Sequence, residues 1–169
     1  MSPQKSEKIL LLKGHKAPKF SLPAIQPNGT EIEVNLNETL QRTKVLLVFY
    51  QDDGMPICTN TLNAFAQEHE LLKEAKVTVF GINTNGLGSH KRFQERDHFP
   101  FSLLSDFHGE VVRSFGLWNM DERKSYRSVV VIDQNSDVLH IESHFNPSNL
   151  SAYTAIFTAL GLTELSLDE

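Results

Sequence analysis

The sequence predicts an α/β fold in which a central mixed sheet is covered by helices on both faces. Three observations support it. Residues 45–50 (VLLVFY) and 77–82 (VTVFGI) are apolar runs of the kind found in strands buried on two sides. The first is followed by a segment whose apolar residues recur at helical steps and the second by a helix signalled by a capping Ser89 and a core-facing Phe93, the alternation expected of parallel strands with crossover helices. Late in the chain, 128–133 and 138–141 flank the polar turn 134–137, the pattern of an antiparallel hairpin. At 169 residues, 40% hydrophobic and 22% charged, the chain has the balance of a single globular domain.

Taken in order, residues 17–23 alternate apolar and polar between two prolines, and Asn28-Gly29 turns the chain into 30–34, giving an N-terminal β-hairpin extension. The strand at 45–50 stops at the polar group Gln51-Asp52-Asp53-Gly54. From Thr59, residues Leu62, Phe65, Ala66 and Leu72 form one apolar stripe on a helix, which sets Cys58 at a strand-to-helix junction. After the strand at 77–82, Ser89 is suited to cap a helix whose Phe93 faces the core, and Asp106 to cap a short helix carrying Val111, Val112 and Phe115. Asn146-Pro147 pairs a capping side chain with proline at a first helical position; Leu150, Tyr153, Ile156, Phe157 and Leu160 then give a closing helix that ends at Gly161. The expected division is an N-terminal extension over 1–13, one domain over 14–161 and a frayed tail over 162–169.

Sixteen basic against twenty-one acidic side chains leave a net charge of −5, and the longest basic run is Lys91-Arg92, so no phosphate-tracking surface and no nucleic-acid partner are expected. The apolar stretch 9–12 is too short for a signal peptide's core or a membrane span, which predicts a cytoplasmic protein without a membrane partner. A single cysteine, Cys58, excludes an intramolecular disulfide, a CxxC pair and any multi-cysteine metal site. A thiol in the first turn of a helix meets unpaired backbone N–H groups and the positive end of the helix dipole, both of which favour the thiolate. Pro56, with its fixed φ, orients the loop that presents it.

With Cys58 go several longer strings: 14–22 (GHKAPKFSL), 48–50 (VFY), 56–59 (PICT), 89–93 (SHKRF), 99–106 (FPFSLLSD), 115–118 (FGLW) and 127–133 (RSVVVID). In that order and spacing, over residues 14–145, the chain resembles a peroxiredoxin of the alkyl hydroperoxide reductase/thiol-specific antioxidant superfamily, and within it the bacterioferritin co-migratory protein (peroxiredoxin Q) branch. The resemblance implies a thioredoxin-like fold and a peroxidatic cysteine at Cys58, whose thiolate attacks a hydroperoxide oxygen and becomes a sulfenic acid. It places the family's active-site arginine at Arg127. A permanent guanidinium charge there favours the thiolate and stabilises charge on the departing oxygen.

The resemblance also fails at informative places. The family pattern has proline seven residues and Thr or Ser three residues before the cysteine; Gln51 and Met55 stand there. A thioether has no hydrogen to donate, and losing a charge-assisted hydrogen bond of roughly 1.5–3 kcal/mol slows attack by about ten- to a hundred-fold. Gln51 and Thr59 are candidates to compensate, so Gln51, Met55, Pro56 and Thr59 are the expected lining of the peroxide pocket. Thr61 replaces the acidic residue often found three positions after the cysteine, and Asn63 the resolving cysteine five positions after it. A one-cysteine cycle follows, with an external thiol such as glutathione or a thioredoxin-like protein as reductant, hydrogen peroxide or a small alkyl hydroperoxide as substrate, and a monomer or homodimer as the working unit. No cofactor or metal is implied. The alternative is a thioredoxin-fold binding module or slow thiol sensor, which Met55 favours; a disulfide oxidoreductase is disfavoured by Thr61 at the CxxC partner position.

Two other patterns point less far. His140, Glu142 and His144 alternate along one strand face but have no further ligand fixed by spacing. The loop 83–89 lacks the spacing of a phosphate-binding turn. His15, His69, His90, His98 and His108 show no spacing that argues chemistry, and Phe49, Phe99, Phe101, Phe115 and Trp118 read chiefly as core.

Overall fold

A computed structural model describes residues 11–162. The predicted tail residues 163–169 and all but the last three residues of the predicted extension lie outside them.

Nine strands and six helices follow along the described chain: β1 (Ser21–Ile25), β2 (Glu31–Asn35), α1 (Leu36–Leu40), β3 (Lys44–Phe49), α2 (Pro56–Ala66), α3 (His69–Glu74), β4 (Val77–Asn83), α4 (Leu87–Asp97), β5 (Ser102–Ser105), α5 (Glu110–Ser114), β6 (Trp118–Asn119), β7 (Lys124–Ser125), β8 (Ser128–Ile132), β9 (Val138–Ser143) and α6 (Leu150–Ala159). Seven strands form one sheet in the order β2-β1-β5-β4-β3-β8-β9. β3, β4 and β5 run parallel, while β8 and β9 on one side and β1 and β2 on the other are antiparallel. This is a mixed thioredoxin-like sheet. The N-terminal hairpin belongs to it: β1 pairs with β5, so the hairpin extends the sheet's edge.

Side chains on a strand alternate between faces, and the apolar run of β3 therefore feeds two cores. Leu46, Val48 and Tyr50 pack with Leu62 and Phe65 of α2, Phe93 of α4 and Tyr153 and Phe157 of α6. Val45, Leu47 and Phe49 pack on the other face with Leu36 of α1 and Val112 of α5. Cys58 belongs to the first layer. Leu62 of its helix packs over β4 where Gly81 presents no side chain. A Cβ there would lie 2.9 Å from Leu103 Cδ2, 3.2 Å from Leu62 Cδ2 and 3.3 Å from Tyr50 Cε1. Tyr153 of α6 completes the seat by donating its hydroxyl to the Ala64 carbonyl of α2 at 3.0 Å.

Several local expectations are corrected. The apolar stripe after Cys58 is broken into two helices, α2 and α3, with Gln67 and Glu68 between them. Ser89 is not a cap: α4 begins at Leu87, and the Ser89 hydroxyl, already inside the helix, donates to Asp53. Asn149 rather than Asn146 caps α6, accepting from the Ala152 N–H at 3.2 Å, while Asn146 closes its own turn onto Ser148. Asp106 does serve α5, from four residues before its first residue, by accepting from the N–H groups of Val111 and Val112. α1, β5 and the short β6–β7 hairpin are additional to the sequence reading.

Candidate active site

At the end of β3 the Tyr50 N–H still bonds to β4 through the Ile82 carbonyl. The chain then leaves the sheet through Gln51–Met55, turning at Gly54, whose φ of 82° is the left-handed conformation that favours glycine. Pro56 opens α2 at a position where a missing N–H costs nothing, and is exposed to solvent. Met55 is the N-cap residue by backbone geometry, yet its side chain makes no capping bond. Cys58 is thus the third residue of α2, within the turn whose N–H groups have no carbonyl partner of their own.

The Cys58 side chain is fully buried. Its Sγ accepts a hydrogen bond from the Gln51 backbone N–H at 3.3 Å and, as a thiol, points its hydrogen at Met55 Sδ, 3.8 Å away. The Gln51 carboxamide turns away, donating to Glu122 Oε1 at 3.2 Å. Thr61 donates its hydroxyl back to the Ile57 carbonyl at 2.8 Å and so faces its own helix.

Arg127 immediately precedes β8. In the β3–β8 ladder Ser128 stands opposite Phe49, the last residue of β3, so Arg127 sits at the end of the sheet from which the Cys58 loop departs. Its carbonyl is tied to the Phe145 N–H, and its side chain is half-buried. Three buried side-chain polar atoms among the described residues have no hydrogen-bond partner: Thr59 Oγ1, Arg127 Nε and Ser128 Oγ. Thr59 adjoins Cys58 in sequence and Arg127 precedes β8, whereas Ser128, paired with Phe49, faces the opposite apolar layer. Buried polar atoms are normally satisfied, so Thr59 Oγ1 and Arg127 Nε each have a hydrogen bond left to make with a polar ligand.

Behind the loop lies a polar cluster that the sequence reading missed. The Asp53 carboxylate accepts from the Tyr50 hydroxyl, the Ser89 hydroxyl and His90 Nδ1, each at 2.7 Å, and from Asn83 Nδ2 at 3.3 Å. His90 Nε2 lies 2.9 Å from the Leu104 carbonyl, which can only accept, so that nitrogen carries a hydrogen. Burial pushes the Asp53 carboxyl up, but the hydrogen bond and charge of His90, helped by Tyr50 and Ser89, outweigh it and hold the group below its ordinary value. Burial, with the Asp53 charge and hydrogen bond, drives the Tyr50 phenol well above its ordinary value and keeps it a donor. One signal was available in the sequence: His90 lies three residues before core-facing Phe93, on the same helix face.

On the loop's other side the β6–β7 hairpin closes in. Lys124 forms an ion pair with Asp52, which raises the lysine's proton affinity, with smaller contributions from Glu122 and from the Cys58 sulfur. Adjacent aspartates are therefore held from opposite directions, Asp52 by β7 and Asp53 by α4.

The other candidates stay apart from this arrangement. His140 pairs with Glu142 at 2.9 Å, while His144 packs at a tilt against the Tyr126 ring. Among the described residues no three His, Cys, Asp or Glu side chains are placed to share a metal ion. A groove of about 840 Å³ between β9 and α6, lined by Leu139, His140, Leu150 and Thr154, contains none of the residues around Cys58. Phe99 and Phe101 share the cysteine's apolar layer, but Phe49 and Phe115 lie in the opposite one. No helix among the described residues is long and apolar enough to cross a membrane.

The AhpC/TSA family pattern matches residues 13–141, and the Peroxiredoxin Bcp of Escherichia coli (strain K12) is 34% identical over 142 residues, covering 80% of this chain and 88% of that protein. The chain belongs to the AhpC/TSA family. It is a Bcp/peroxiredoxin Q-like peroxiredoxin, and so a thiol peroxidase. The chloroplastic Peroxiredoxin Q of Oryza sativa subsp. japonica is 30% identical over 141 residues, covering 80% of this chain and 61% of its own. Among solved structures, the peroxidoxin BcpB of Mycobacterium tuberculosis superposes with a TM-score of 0.75 at 26% identity, covering 88% of this chain and 96% of its own. This peroxiredoxin shares that architecture while carrying Gln51 and Met55 in its cysteine loop.

Proposed function

We propose that this peroxiredoxin works by a one-cysteine cycle with Cys58 as nucleophile and Arg127 as electrostatic stabiliser. The thiolate sulfur attacks one oxygen of a hydroperoxide, an S–O bond forms as the O–O bond breaks, and the electron pair leaves on the distal oxygen, which takes a proton to become water or an alcohol. Sulfur loses two electrons and becomes a sulfenic acid. An external thiol, glutathione or a thioredoxin-like protein, then attacks that sulfur and expels water. A second thiol resolves the mixed disulfide and restores Cys58. Hydrogen peroxide and small alkyl hydroperoxides are the proposed substrates, the cytoplasm the proposed location, and a monomer or homodimer the working form.

The observation that supports this best is the unpartnered, buried Nε of Arg127, at the sheet end from which the Cys58 loop leaves. A guanidinium N–H offers a hydrogen bond to the charge that develops on the leaving oxygen. Thr59 supplies a hydroxyl one residue from the nucleophile, and Pro56 and Met55 form the outer edge of the same turn. The test is peroxide consumption with dithiothreitol as generic reductant. Turnover by the wild-type chain and none by Cys58→Ser is expected, and equal consumption by both refutes the assignment.

A second reading, a binding module or slow thiol sensor, is favoured by one fact: Cys58 has no exposed surface and its thiol hydrogen already has a partner in Met55. Slow alkylation of Cys58 at neutral pH together with undetectable turnover would select it.

A further inference from the structure

We propose that the backbone N–H of Gln51 is a catalytic group that holds the Cys58 thiolate, taking over part of the work that a hydroxyl at position 55 would do. The inference rests on Cys58 being the reacting sulfur.

The geometry is direct. Gln51 N lies 3.3 Å from Cys58 Sγ with its hydrogen aimed at the sulfur. The family pattern has a proline at this position, and proline has no N–H to give. The same loop thus loses one donor at Met55 and gains another at Gln51. The two contacts also differ in which state of the sulfur they favour. A thiol can donate to Met55 Sδ, an interaction that vanishes when the proton leaves; an amide N–H is a better donor to the anion than to the neutral thiol. Gln51 therefore pulls toward the reactive state and Met55 toward the resting one.

The amide is also held in place. The Gln51 carboxamide is bonded to Glu122, the Gln51 carbonyl accepts from Asn83 Nδ2 at 3.5 Å, and Asp52 is paired with Lys124. With the Tyr50 N–H bonded to the Ile82 carbonyl before the peptide unit and these contacts after it, the N–H is kept from rotating away. Such a donor needs no reorganisation at the moment of reaction. The β6–β7 hairpin is accordingly a positioning element for the donor.

The experiment is a titration of Cys58 followed in two ways on the full chain. By proton–nitrogen correlation spectroscopy, the Gln51 amide proton of the wild type is expected to move downfield with the same midpoint as the pH dependence of Cys58 alkylation, and to stay still in Cys58→Ser. An amide that does not respond while the thiol titrates overturns the proposal, and this holds even if Gln51→Pro fails to fold. Where Gln51→Pro folds, its alkylation midpoint is expected to rise by about one pH unit, and that of Gln51→Ala, which keeps the N–H, by less than a third of that. Equal rises in both variants overturn it, because the carboxamide would then be the active part. None of these readouts needs peroxide turnover, so a failure of the peroxidase reading remains distinguishable.

Discussion

Replacing Met55 by threonine is expected to raise the second-order rate of peroxide attack by about ten- to a hundred-fold. Met55 has the backbone of an N-cap residue, φ −66° and ψ 129°, without a capping side chain. A threonine oxygen in that geometry accepts from the third helical N–H, which here is that of Cys58 itself, while its hydrogen is free to turn toward the sulfur that Met55 Sδ now approaches at 3.8 Å. A hydrogen bond to a charged group is worth roughly 1.5–3 kcal/mol, and each 1.4 kcal/mol is a factor of ten in rate, which sets the expected gain. The cap adds about 1 kcal/mol to stability, and trimming a half-buried methionine from the edge of the apolar layer removes about as much, so little net change in unfolding free energy is expected. The assay is stopped-flow peroxide consumption under excess dithiothreitol, with urea unfolding as the control. A folded Met55→Thr protein that reacts no faster than wild type refutes the argument, and would mean that the first turn of α2 does not hold a hydroxyl against the sulfur.

Arg127→Met is expected to lower the peroxide rate by about a hundred- to a thousand-fold, the usual loss when a donor to a developing oxyanion is removed, and a loss below threefold would exclude Arg127 from the chemistry. Asp53→Asn breaks a buried pair with His90 and is expected to cost about 3–5 kcal/mol at pH 7. Because the carboxyl is held low, it stabilises the fold above its unfolded value near 3.9 and loses that contribution as pH falls through the folded value, so the gap between variant and wild type in thermal melts should narrow below about pH 4 and not before. Gly81→Ala should destabilise the protein by about 1–3 kcal/mol in urea, since its methyl group would press on Leu103, Leu62 and Tyr50 together; an unchanged midpoint would show that α2 is free to lift from the sheet.

The central strands were legible because their pattern is strong: β3, β4 and β8 are apolar on successive residues, which only a strand buried on both faces requires. β5 was not, since four residues between a proline-containing turn and Asp106 give periodicity too little length to register. The two-residue strands of the β6–β7 hairpin fall below any sequence signal, although they bring Glu122 and Lys124 to the cysteine loop. Cys58 and Arg127 were singled out through the family resemblance. The Gln51 contribution was not, because sequence reasoning weighs side chains and the contact made here is by the backbone. The Asp53–His90 pair joins residues 37 apart, and no local spacing announces such a partnership.

The loop after β3 and the helix it feeds are secured very unequally. Asp52 and Asp53 anchor one end to β7 and α4, whereas the helix begins with a methionine that caps nothing and a proline that faces water. The Cys58 sulfur has no exposed surface, and the less secured of the two is the part expected to yield if it is to be reached. Unwinding of those first few residues, rather than swinging of the tethered segment, is then the expected route by which that sulfur reaches solvent.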